Sequence, residues 1–259
     1  MEYFLETDFI DLDSTFNCGQ CFRWENGGDG LYSGTAGNKS VTVRQEKKGM
    51  TLLNVEKADI AFWEEYFCVD EDYSAIIEKF RADSTLREAC GFAPGLRLLR
   101  QEPFETLISF IISQNNNIKR IKGIINKMCS VFGENGAIPA PETLARLEVG
   151  DLTPLGTGYR ARYIIDAAKK IVSGEIMLDE IAKMPYNGAK AELLKIIGVG
   201  GKVADCVLLF GFHELQAFPK DVWIKRVLAQ YYPDGLPMCM QGYEGIAQQF
   251  LFHYIRNLK

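Results

Sequence analysis

The sequence predicts an α+β protein: an antiparallel β domain over residues 1–84, then a larger, mostly α-helical domain over residues 85–259. Three features predict it. Lys39-Ser-Val-Thr-Val-Arg44 alternates, with Val41 and Val43 on one face of a strand. Near Asp59 the apolar residues take up helical spacing, through Ile60, Trp63 and Phe67 and then Tyr73, Ile76, Ile77 and Phe80. From there one apolar helix face follows another to the C-terminus.

Within the first domain, glycines at 27, 28, 30, 34 and 37 punctuate short β segments, Gln20–Glu25 and Leu31–Ser33, ahead of the alternating strand. Within the second, helices break at Gly133–Pro141, Pro154–Gly158, Pro185–Gly188 and Pro233–Pro237. No internal repeat or low-complexity segment is present.

Composition narrows the class. Hydrophobic residues at 47% and charged residues at 24% suit a globular chain with a substantial core. The N-terminus, MEYFLETDFIDLD, is acidic and lacks the basic and apolar regions of a signal peptide. The longest apolar stretches, Leu107–Ile112 and Val207–Phe212, are too short to span a bilayer, so a soluble, intracellular protein is expected. Cys18 and Cys21 have metal-like spacing, but no second pair follows and His213 and His253 are distant. The seven cysteines read as reduced structural thiols, and no metal site is expected.

Net charge is −5, yet its distribution is uneven. Residues 1–84 hold 8 of the 29 basic and 17 of the 34 acidic side chains, net −9, which leaves the remainder at +4. Basic clusters at Lys119–Lys127, Arg160–Lys170 and Lys190–Lys202 permit contact with phosphates, although solvated helix faces look the same.

The most informative stretch runs from Leu193 to Leu209, two amphipathic segments joined by Gly198-Val-Gly-Gly201. This is a helix-hairpin-helix pattern. Its glycines allow positive φ, and a turn that opens a helix points free N–H groups at an anion, so a DNA phosphate could be gripped without reading sequence. A plain packing corner would carry glycines too. Lys202 follows directly, where a phosphate held by the hairpin would bring a sugar near its amine. Burial and the positive end of a helix both favour an uncharged, nucleophilic amine. Downstream, Asp221 in Pro219-Lys-Asp-Val-Trp-Ile stands where a helix N-cap belongs. A cap also fixes the carboxylate's direction, so it could face the same sugar and stabilise positive charge.

Gly-Val-Gly-Gly-Lys-Val-Ala-Asp, with Pro-Lys-Asp nineteen residues after Lys202, resembles the helix-hairpin-helix DNA glycosylase superfamily. Further segments resemble its 8-oxoguanine DNA glycosylase/lyase family. These are Asn17-Cys-Gly-Gln-Cys-Phe-Arg-Trp24, Leu98-Leu-Arg-Gln-Glu-Pro-Phe-Glu105, Ile112-Ser-Gln-Asn-Asn-Asn-Ile-Lys-Arg-Ile121, Leu155-Gly-Thr-Gly-Tyr-Arg-Ala-Arg-Tyr163 and Gly245-Ile-Ala-Gln-Gln-Phe-Leu-Phe252. They run in the family's order over nearly the whole chain.

The resemblance implies a bifunctional enzyme that flips out and excises 8-oxoguanine, preferentially opposite cytosine, then cleaves the strand by β-elimination. It implies Lys202 as the Schiff-base nucleophile and Asp221 as its assistant. The β domain would recognise the lesion through the carbonyl of Gly19, since oxidation turns guanine N7 into a donor. Cys206 and Phe252 would sandwich the base, and Gln248 would bond its Watson–Crick edge. Asn115 would fill the hole in the stack with Asn116 beside it, Tyr159 would wedge next to it, and Arg120 and Arg160 would meet the orphaned cytosine. Gly198 and Gly200 would hold the phosphate. No cofactor is implied, although a cation bound by the hairpin backbone would be compatible.

Two residues depart from the pattern. Ile197 stands where such hairpins often have proline, which predicts a less rigid turn, and Trp223 stands where eukaryotic members have a histidine near a phosphate, so that contact is not carried over. The chain ends without a tail, which suits a prokaryotic, cytoplasmic, DNA-associated monomer acting on double-stranded DNA with no membrane partner. The competing readings are a helix-hairpin-helix glycosylase for another damaged base and a non-catalytic DNA-binding protein. A lysine at 202 and the lack of four clustered C-terminal cysteines argue against the alkylated-base and iron–sulfur branches.

Overall fold

In the computed structural model, which describes residues 1–258, the alternating stretch lies in the fourth of five strands. The strands are β1 (Tyr3–Glu6), β2 (Trp24–Gly28), β3 (Leu31–Ala36), β4 (Lys39–Glu46) and β5 (Gly49–Leu53), in the sheet order β1-β5-β4-β3-β2. The pairs β1/β5, β4/β5 and β2/β3 are antiparallel, and Val41 and Val43 both point into the core, as period two requires.

The segment expected as a strand over Gln20–Glu25 is one only from Trp24 onward. Residues 20–23 form a loop because the Gln20 side chain bonds backbone instead: its amide donates to Thr15 O at 2.9 Å and Arg97 O at 2.8 Å, and accepts from Leu99 N–H at 2.9 Å. A helix not anticipated in this region, α1 (Leu12–Asn17), is started by Asp11, whose carboxylate accepts the Ser14 N–H at 2.7 Å.

The helical spacing after Asp59 becomes α2 (Ile60–Tyr66), α3 (Tyr73–Phe80) and α4 (Ser84–Phe92). Its aromatics build the core of the sheet's unit. Phe16 stacks on Trp24 at 4.1 Å, Trp63 meets Trp24 edge-on at 6.1 Å, and the Trp24 indole N–H donates to Tyr66 Oη at 2.8 Å. Cys18 is buried there, its thiol donating to Thr15 O, and burial pushes its pKa up to about 11. None of the seven cysteines is in a disulfide.

The chain continues through α5 (Pro103–Ser113), α6 (Ile118–Phe132), α7 (Pro141–Ala145), α8 (Val149–Leu152), α9 (Ala161–Val172), α10 (Leu178–Ile181), α11 (Tyr186–Leu193) and α12 (Gly201–Gly211). It ends with α13 (Val222–Tyr231) and α14 (Glu244–Asn257). The break expected over Pro185–Gly188 is confined to Pro185, which caps α11. Gly188 lies within that helix, where glycine costs stability but does not stop it. Two compact units result, Met1–Gly34 with Val41–Arg100 and Glu214–Lys259, and Thr35–Ser40 with Gln101–His213. In the first, α14 packs on α4 and α13. In the second, the largely buried α5 packs on α12, with Phe110 and Phe210 stacked at 5.3 Å. Among the described residues no helix is long and apolar enough to cross a membrane.

Candidate active site

The glycine corner is a helix-hairpin-helix. Helix α11 ends at Leu193, Gly198 adopts φ +81°, and Gly200 is the N-cap from which α12 begins, with Lys202 in its first turn. Gly198 is glycine for two reasons. Its φ lies in the left-handed region, and a Cβ there would lie 2.3 Å from Cδ2 of Tyr163, whose ring occupies that space. The N–H of Ile197, which a proline would lack, donates to the Asp166 carboxylate at 2.7 Å. The departure from proline therefore gains a tether to α9 in place of ring rigidity.

A second tether lies behind the hairpin. Asp205, buried on α12, accepts from Lys190 at 2.7 Å and from Tyr186 Oη at 2.7 Å, both on α11. The two helices that flank the corner are thus held by a charge-assisted network.

Lys202 is half-buried, its Nζ 5.1 Å from the centre of the Phe110 ring on α5. Among the described residues it has neither an ion pair nor a hydrogen bond. An amine left uncommitted at the start of a helix, against an aromatic face, is available to react. Cys206 lies four residues on, on the same side of α12, and is buried.

The turn between α5 and α6 is built as the asparagine run requires. Asn115 is exposed at φ +47°, Asn116 donates to Ile112 O at 3.1 Å, and Asn117 caps α6 by accepting the Arg120 N–H at 3.0 Å. Asn115 donates to Tyr159 Oη at 3.3 Å, and Tyr159 is 45% exposed, so both stand on the surface together. Arg160 is buried. Its guanidinium lies 4.6 Å from the Tyr159 ring centre and donates to the carbonyls of Gln114, Asn115 and Thr157. Arg120 is exposed and donates to Gly156 O at 3.1 Å.

The first unit carries the other group of candidates. Gln249 donates to Cys18 O at 2.8 Å, which pins α14 to the loop that holds Gly19. Gly19 adopts φ +84°, and a Cβ there would sit 3.5 Å from the Phe252 ring and 3.8 Å from Arg256. Gln248 and Phe252 share a face of α14, four residues apart. Gln248 is 4% exposed, and among the described residues nothing donates to its buried Oε1. Asp221 is the N-cap of α13, as its position before an apolar run requires, and accepts the Ile224 N–H at 2.8 Å. Trp223 lies two residues on, with Arg226 over its ring at 5.0 Å.

The second unit thus brings together Asn115, Tyr159 and Arg160, and separately Lys202 and Cys206. The first brings together Gly19, Gln248 and Phe252. Sequence reasoning missed Tyr163, Asp166, Asp205 and Gln20, because their roles are contacts to backbone or to residues remote in sequence and no local period marks them. The hairpin geometry makes a prediction. Gly198→Ala should weaken binding to duplex DNA by about tenfold or more, read by fluorescence anisotropy, because left-handed backbone and a ring contact both oppose the methyl. Unchanged affinity would mean that the Tyr163 ring yields at little cost.

Residues 3–107 match the family model of the 8-oxoguanine DNA glycosylase N-terminal domain, and residues 108–235 that of the HhH-GPD superfamily base excision DNA repair protein. The N-glycosylase/DNA lyase of Saccharomyces cerevisiae is 33% identical over 261 residues, spanning 85% of this chain and 68% of the yeast protein. The structure of MBOgg1 in complex with a low affinity DNA ligand superposes with a TM-score of 0.91 at 38% identity, covering 98% of this chain and 95% of the other. That of the Clostridium acetobutylicum 8-oxoguanine glycosylase/lyase, in complex with double-stranded DNA containing cytosine opposite to 8-oxoguanine, gives 0.90 at 33% identity, covering 99% and 97%.

Proposed function

The chain belongs to the 8-oxoguanine DNA glycosylase/lyase family of helix-hairpin-helix base excision repair proteins, and on that premise we propose that it extrudes 8-oxoguanine from double-stranded DNA, releases the base through Lys202 and then nicks the strand. The observation that carries the reading is the uncommitted Lys202 amine at the start of α12, directly after a glycine corner suited to a phosphate. A hairpin used only for grip would not need it.

The lone pair of Nζ attacks C1′ as the bond from C1′ to N9 breaks, and the departing base takes the electron pair and a proton. Opening of the bond from C1′ to O4′ gives the imine, with a proton going to O4′. Loss of a C2′ proton then expels the 3′ phosphate by β-elimination. Asp221, its direction fixed by the cap, faces the positive charge that develops on the sugar and helps to move these protons. The route needs no cofactor.

Each unit supplies its own contacts. From the first, the Gly19 carbonyl accepts the N7–H that oxidation creates, Gln248 bonds the Watson–Crick edge with an acceptor that has no partner in the protein, and Phe252 covers one face of the base. From the second come Cys206 against the base, Asn115 and Asn116 at the gap in the stack, Tyr159 as the wedge, and the Gly198 and Gly200 backbone on the phosphate. The seven thiols, none of them in a disulfide, favour a reducing, cytoplasmic setting.

Arg120 and Arg160 meet the orphaned cytosine. Arg160 must first leave the carbonyls of Gln114 and Asn115, whereas Arg120 is already exposed, so Arg120 carries the larger share of the preference. The test is excision from matched duplexes with the lesion opposite C and opposite A, alongside borohydride trapping on each. An adduct should form, with excision opposite C faster by roughly tenfold or more, as one good base contact provides. Arg120→Ala should shrink that ratio. Equal rates for the two duplexes in the unaltered protein would remove both arginines from the proposed role.

A further inference from the structure

Helix α9 touches two candidate DNA-contacting features of the second unit with neighbouring side chains. Tyr163, in its first turn, meets the Tyr159 ring edge-on at 5.7 Å. The same Tyr163 ring fills the space beside Gly198 that a Cβ would need, with Cδ2, Cγ and Cε2 all within 2.6 Å of that position. Three residues on, Asp166 takes the Ile197 N–H. One face of α9 therefore holds two successive residues of the hairpin corner and supports the aromatic ring next to Asn115.

We infer that Tyr163 is a positioning residue for the excision reaction, fixing the distance and angle between the Tyr159 wedge and the Gly198 corner. This rests on the proposed roles of Tyr159 in the duplex and of the hairpin on a phosphate. The physical reason is that a stiff aromatic ring in contact with a ring on one side and with backbone on the other transmits displacement, where a flexible side chain would absorb it. Insertion of Tyr159 beside the lesion and capture of the adjoining phosphate are then one motion, and the sugar arrives at a set height above the start of α12. The hydroxyl is an accessory. It accepts from Arg162 at 3.1 Å on the surface, and Arg162 also lies 5.0 Å from the ring centre.

The experiment compares Tyr163→Phe, Tyr163→Leu, Tyr159→Ala and the Tyr163→Leu/Tyr159→Ala pair. It reads single-turnover excision of 8-oxoguanine, the fluorescence of 2-aminopurine placed beside the lesion at saturating protein, and the melting temperature. All assays run well below the lowest melting point. Tyr163→Phe should keep excision within about twofold, while Tyr163→Leu lowers it by roughly tenfold to a hundredfold, since small misplacement of a reacting centre has that cost. The 2-aminopurine signal should fall with it. The pair should be no slower than the slower single variant, because residues acting through one contact are non-additive. Fold losses that multiply in the pair, or a Phe variant as slow as Leu, would overturn the inference. So would a Leu variant with a lowered melting temperature and an unchanged fluorescence signal, which is what a purely structural tyrosine gives. A Tyr159→Ala protein that excises and flips normally would instead remove the wedge reading itself, and the inference with it.

Discussion

Lys202→Gln abolishes the borohydride-trapped adduct and lowers excision by about a thousandfold or more, the loss expected when a covalent nucleophile is removed. The glutamine amide is one bond shorter than the lysine beside Phe110, keeps a polar end there and cannot form an imine. Duplex binding should change by no more than roughly threefold, because only one charge is lost while the hairpin backbone stays in place. Measuring adduct, excision and binding on the same preparation separates chemistry from grip. An adduct that survives the substitution would assign the attack to another amine, and the proposed mechanism would fall.

Arg97→Met produces the second large effect, on the fold that carries the lesion-facing groups. Arg97 is 2% exposed. Its guanidinium lies 4.3 Å from the Tyr73 ring centre and donates to Phe9 O at 2.9 Å, Thr7 Oγ1 at 2.9 Å and the Cys68 carbonyl. Methionine fills much of the same space but leaves those acceptors without donors, at about 1–3 kcal/mol each where they are buried. Since a domain's stability is about 5–15 kcal/mol, the unit should lose a large part of it, with melting lowered by roughly 10 °C or more. Excision should fall further than the melting point alone explains, because Arg97 O also anchors Gln20, the residue after Gly19. Calorimetry and excision at low temperature test this, and an unchanged melting point would refute it.

Much of this was legible in the chain itself. The order of sheet and helices, the hairpin, the Asp221 cap and the Asn115 turn all rest on local rules of period, glycine conformation and capping, and the structure follows them. The loop over 20–23 was not legible, because the amide of Gln20 reaches residues 15, 97 and 99, and only the folded chain brings them together. Helix α1 was hidden for a different reason. Six residues are too few to show a period, and its start depends on one carboxylate. Ile197 illustrates the same limit from the other side. Its departure from proline predicts a looser corner, and nothing in the local sequence points to Asp166, thirty-one residues earlier, as the group that holds it.

The Gln248 oxygen proposed to meet the base also bears on which bases are accepted. Under the proposed contact, no group among the described residues donates to this buried oxygen, so an arriving base bearing an N–H at that spot gains a bond that is not traded against one inside the protein. A base that presents a lone pair at that spot would meet lone-pair repulsion unless the amide turned its NH2 toward it. On the proposed reading, selection among bases would thus draw on an oxygen that the folded chain leaves unspent in its interior.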